Sequence, residues 1–134
     1  MSRRLFCDTS VLVRYFVEDD APRALAAATL IDSDDELVVS TGVLIELVHT
    51  LRTSHGMANP YVAALLARFL TRDNIRLVDA DATVIVAALG WSQRVSARRI
   101  PDVILAAAAQ AAGCEAIASF DEKLASPSVP VRLL

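Results

Sequence analysis

Four acidic residues are the first candidates for chemistry in this chain: Asp8, Glu46, Asp102 and Asp121. They are far apart in sequence, so they act together only if the fold gathers them. Asp8, Asp102 and Asp121 each precede a helical stretch, where aspartate serves as a cap or first-turn residue without any chemistry. Glu46 is different, because in "GVLIELVHTL" it is the only charge among apolar neighbours. A carboxylate in such a setting is costly unless something neutralises it, and an arginine would do so. Several carboxylates within a few ångströms of one another repel by about 4 kcal/mol per pair at ~4 Å and an effective dielectric near 20. A divalent cation offsets that repulsion. A donor set of oxygens alone favours Mg²⁺ or Mn²⁺ over zinc. Such an ion lowers the pKa of bound water and screens the charge of an attacked phosphate. Thr9 and Ser10, next to Asp8, either orient Asp8 or a metal-bound water or satisfy free N–H groups at the start of a helix.

The elements that must position these residues are legible in the hydrophobic pattern. Residues 5–7 read as a short buried strand ending on Asp8, and 9–18 as a helix stopped by Asp19 and Asp20. Pro22 suits the first turn of a second helix running to about Asp32. "ELVVST" is a second strand and "GVLIELVHTLRTSH" the helix after it, closed by Gly56. Asn59 is expected to cap the next helix, with Pro60 at its first position. "IRLVD" is a third strand, and Asp81 caps "ATVIVAALGWSQRV". "PDVILAAAAQAAGC" is a helix from Pro101 to Gly113, followed by the strands "EAIASF" and "PVRLL". Strands apolar on both faces and separated by helices indicate a parallel sheet covered on two sides. The expected fold is therefore α/β, a three-layer sandwich whose central, mostly parallel sheet of four to five strands is flanked by helices. In open parallel sheets function gathers beyond the carboxyl ends of the strands, and all four acids can point at that end.

The 134 residues make one expected domain, 1–134, large enough to bury a core unaided. A net charge of −3 is not the footprint of a simple nucleic-acid binder. Twelve of the thirteen cationic residues are arginines, the better residue for bidentate phosphate contact. Arg14, Arg94, Arg98 and Arg99 are candidates for such contacts, the plain alternative being a solvated helix end. The 54% hydrophobic content suggests that some apolar surface faces a partner, and a homodimer is expected. The apolar run 103–109 is far short of the roughly 20 residues that span a bilayer. No secretory h-region precedes Asp8, so a cytoplasmic location is expected. Cys7 and Cys114 are too few and too distant for a disulfide framework or a zinc site and read as small hydrophobes.

A strand ending in "DTS", a mid-chain helix carrying "IEL", and "PDVILAAAAQAAGC" followed by "AIASFDEKL" together resemble the PIN-domain ribonucleases. The likeness is greatest to the VapC-like toxins of toxin–antitoxin pairs and spans essentially the whole chain. It implies a Mg²⁺- or Mn²⁺-dependent endoribonuclease whose catalytic and metal-holding quartet falls on Asp8, Glu46, Asp102 and Asp121, with Ser10 supporting the first aspartate. Ser119 stands where that family often has threonine, and Leu124 where an aromatic is common. The resemblance also implies an RNA substrate and a cognate antitoxin protein wrapping the first helices, "VLVRYFVEDDAPRALAAATLI". The alternative is a non-catalytic PIN-like interaction module. A dehalogenase-like phosphatase would want an aspartate where Ser10 stands. A ferritin-like iron site built on Glu46-x-x-His49 would need a second such motif in a four-helix bundle.

Overall fold

The computed structural model describes residues 2–94 and 100–134. The chain alternates short strands with longer helices: β1 (Arg4–Phe6), α1 (Thr9–Phe16), α2 (Ala21–Ile31), β2 (Glu36–Val39), α3 (Thr41–Thr53), α4 (Asn59–Leu70), β3 (Ile75–Leu77), α5 (Ala82–Arg94), α6 (Ile100–Ala111), β4 (Ile117–Ser119) and β5 (Val131–Leu133). Every strand pairing is parallel; helices make the crossovers from β1 to β2 and from β2 to β3, whereas a helix-free segment joins β4 to β5. β2 is the central strand of a sheet ordered β1-β2-β3, whereas β4 and β5 pair only with each other. The fold class is the expected three-layer α/β. Its five strands are shared between a sheet of three and a ribbon of two.

The burial of β2 explains the layering. Successive strand residues point to opposite faces, yet Leu37, Val38 and Val39 are all buried, so this strand is covered on both sides. α3 contributes Leu44, Leu47, Val48 and Leu51, one apolar stripe at helical spacing, and α6 contributes Val103, Ile104 and Ala107. Leu47 has no exposed surface in this core. Leu47→Ala is expected to cost about 2–5 kcal/mol, seen as a lower urea midpoint with an unchanged slope.

Helix boundaries follow local chemistry. The Asp20 carboxylate accepts from Arg23 N at 3.2 Å and Pro22 lies in the first turn of α2. Ser40 Oγ accepts from Val43 N at 3.2 Å to start α3. Asp81 accepts from Thr83 N at 2.9 Å at the head of α5. The expected cap at Asn59 is corrected: Ala58 is the N-cap of α4 and makes no side-chain cap bond, because the helix already includes Asn59 with Pro60 in its first turn. Gly56 and Gly113 adopt φ of +62° and +73°, the left-handed conformation that lets the chain leave α3 and α6. Among the described residues no helix is long and apolar enough to cross a membrane. Part of the apolar surplus lies on the surface, at Phe6, Phe120, Leu133 and Leu134.

Candidate active site

The β1–β2 ladder continues one residue past β1, with Cys7 N donating to Val38 O at 2.8 Å. Asp8 therefore stands just beyond the carboxyl end of its strand. It serves as the N-cap of α1, its Oδ2 accepting from Ser10 N at 3.1 Å and from Ser10 Oγ at 2.6 Å. The Ser10 hydroxyl, then the Ser10 N–H, hold this exposed carboxyl below the usual carboxylate range. The stability this adds is present above that range and is lost as pH falls through the depressed value. Burial, reinforced by the charge of Asp8, pushes the Cys7 thiol up to about 11. At neutral pH it is an uncharged core group, as expected. Cys114, by contrast, is exposed, because it follows the turn at Gly113 instead of lying within α6.

The hydroxyl beside Ser10 has a different partner. Thr9 is buried, and its Oγ1 donates to Glu46 Oε2 at 3.2 Å. The apolar surroundings expected for Glu46 are corrected. Leu44, Leu47, Val48 and Leu51 turn inward, whereas Gly42, Glu46 and His49 lie on the outward stripe of α3. Glu46 is thus an exposed carboxylate anchored by one buried hydroxyl, and its apolar sequence neighbours belong to the other side of the helix.

Asp102 and Asp121 both bond to the segment 121–125. Asp102, in the first turn of α6, accepts at Oδ2 from Ala125 N at 3.3 Å. Asp121 opens the turn that leads to Ala125. Its Oδ1 accepts from Lys123 N at 2.9 Å, and its own N–H donates to Ser119 Oγ at 2.9 Å. Ser119, the last residue of β4, thereby holds the backbone that carries Asp121. One turn is the shared neighbour of both aspartates.

The acids thus fall into two pairs, one on the β1–β2–β3 sheet and one around the β4–β5 ribbon. Each carboxylate is held through one oxygen: Oδ2 of Asp8, Oε2 of Glu46, Oδ2 of Asp102 and Oδ1 of Asp121. No side chain among the described residues bonds the second oxygen of any of them. Among those residues, no three or more His, Cys, Asp or Glu side chains are assembled around one point as a metal cage. Of the candidate phosphate contacts, Arg14 is paired with Asp19 at 2.9 Å. Arg94 ends α5, and Arg98 and Arg99 lie outside the described residues.

One acid with a positioning role is absent from the sequence reading. Asp79 stands two residues past β3, and both of its oxygens are used by Thr41, one accepting from the backbone N–H and the other from the hydroxyl, each at 2.8 Å. It ties the start of α3 to the carboxyl end of β3. An aspartate as the last residue of the expected strand "IRLVD" is the signal that points to it.

The sequence profile of the PIN domain family matches residues 5–129. The chain belongs to the PIN domain family. Among solved structures, this PIN domain is similar to Mycobacterium tuberculosis VapC20 (Rv2549c), a Sarcin-Ricin loop cleaving toxin. The two are 21% identical, the match covers 90% of this chain and 92% of that one, and the TM-score is 0.45. No curated protein matches this PIN domain.

Proposed function

We propose that this PIN domain is a metal-dependent endoribonuclease that hydrolyses RNA phosphodiester bonds as the toxin of a toxin–antitoxin module. One observation carries the reading. In a chain of this family, four carboxylates stand in the order that the resemblance implies, each with one oxygen that no side chain among the described residues bonds. Carboxylate oxygens are hard donors and suit Mg²⁺ or Mn²⁺, and Mg²⁺ is commonly held by only one or two carboxylates with water and substrate phosphate completing its shell. Both pairs supply donors of that kind. Asp8, Asp102 and Asp121 would hold it, with Glu46 a further ligand or the base. When bound, the ion makes water a better nucleophile and neutralises charge on the phosphate.

The chain's own residues supply the rest. Ser10 keeps Asp8 ionised and aimed, and Ser119 fixes the turn that carries Asp121. Glu46, exposed on α3, accepts the proton of the attacking water, and attack at phosphorus in line with the leaving 3′-oxygen leaves a 5′-phosphate and a 3′-hydroxyl. Arg14, Arg94, Arg98 and Arg99 are the proposed phosphate contacts, and Arg14 would exchange Asp19 for the substrate. The toxin would act in the cytoplasm as a homodimer, restrained by an antitoxin lying over α1 and α2.

The test is cleavage of a structured RNA with Mg²⁺ or Mn²⁺ and with EDTA. Ion-dependent products bearing 5′-phosphates are expected, and absence of cleavage under every ion condition would overturn the proposal. One observation favours the second reading, a non-catalytic interaction module: no three acids converge among the described residues. That reading predicts an inert protein in the same assay. A subtler expectation concerns pH. Ser10→Ala removes the main group depressing the Asp8 pKa, so the acidic limb of the kcat/KM profile should move to higher pH.

A further inference from the structure

Thr9 is covalently joined to one proposed catalytic acid and hydrogen-bonded to another. Its backbone follows Asp8 directly, at the first position of α1, and its buried hydroxyl donates to Glu46 across the α1–α3 packing. Glu46 itself is exposed, has no ion-pair partner among the described residues, and sits on a flexible three-bond side chain. An exposed glutamate without an anchor samples several rotamers. We infer that Thr9 is a positioning residue that sets the rotamer of Glu46 relative to Asp8. Ser10 serves Asp8 and Thr9 serves Glu46, so the two adjacent hydroxyls are divided between the two carboxylates. Burial makes the Thr9 anchor effective, because a hydroxyl shielded from water has no solvent competitor and is costly to leave unpaired.

This inference rests on the nuclease reading for its kinetic consequence and on the structure alone for its physical one, and the test separates them. Thr9→Val keeps the β-branched shape and removes the donor, whereas Thr9→Ser keeps the donor. In Mn²⁺-supported RNA cleavage, Thr9→Val is expected to lower kcat about 10-fold, the lower end of the effect of losing an orienting partner, with KM within about twofold. Thr9→Ser should recover most of the loss, which a purely packing role would not produce. Equal impairment of both variants, or an unimpaired Thr9→Val, would overturn the inference. Should the wild-type protein cleave no RNA, the nuclease reading fails by itself. The anchor is then decided by urea unfolding of Thr9→Val, Glu46→Ala and the double variant. Midpoint losses smaller together than their sum support a Thr9–Glu46 bond, and strictly additive losses refute it.

Discussion

Asp8→Asn is expected to reduce RNA cleavage at least about 100-fold while leaving the fold intact. The two halves of that statement come from different properties of the same side chain. As the N-cap of α1, Asp8 needs only an oxygen that accepts from Ser10 N and Ser10 Oγ, and asparagine caps helices as well as aspartate does. As an acid it supplies a negative charge at the carboxyl end of β1, and asparagine has none. Losing one charged contact to a cation that stabilises a phosphoryl transition state forfeits about 3 kcal/mol, or roughly 100-fold in rate. The check is single-turnover cleavage in Mg²⁺ alongside urea unfolding of both proteins. Matched unfolding curves with a surviving rate would remove Asp8 from the reaction.

Glu46→Gln should cost more, about 10²- to 10⁴-fold in kcat, if Glu46 takes the proton from the attacking water. The substitution is clean for a structural reason. Glu46 lies on the exposed stripe of α3, away from Leu44, Leu47, Val48 and Leu51, and glutamine retains an acceptor for the Thr9 hydroxyl. Core packing and the α1–α3 contact therefore survive. The same variant separates two roles for Glu46. A lost metal ligand is compensated by raising the Mn²⁺ concentration, whereas a lost proton acceptor is not. Full recovery of kcat at high Mn²⁺ would reassign Glu46 from base to ligand.

Much of the architecture was legible in the sequence because it is written in local signals. The periodicity of Leu44, Leu47, Val48 and Leu51 marks a helix with one buried face. Leu37, Val38 and Val39 mark a strand buried on both. Pro22, Asp81, Gly56 and Gly113 punctuate the elements through bonds and backbone conformations only a few residues in range, whereas Ser40, expected in the strand, caps α3 instead. The cap lies at Ala58 and not at Asn59; a cap shifted by one residue leaves the hydrophobic pattern unchanged, and the pattern is what places the helix. Glu46 is exposed despite its apolar sequence neighbours: neighbours in sequence are not neighbours on a helix, where residues three and four apart share a face. The role of Asp79 lies wholly in a contact with Thr41, 38 residues away, which no local pattern encodes.

Acidic identity, order and helix-start placement are sequence properties, so composition and pattern alone determined the α/β class and nominated Asp8, Glu46, Asp102 and Asp121. Only the tertiary structure decided how they are grouped. It sent the Thr9 hydroxyl to Glu46 and the Ser10 hydroxyl to Asp8, and it gave Asp102 and Asp121 a common turn. It also placed β4 in a ribbon with β5 instead of in the sheet of β1. The physical reason is range: propensity and periodicity act over one or two turns, whereas the meeting of residues 9 and 46, or 102 and 125, depends on how whole helices pack across a sheet.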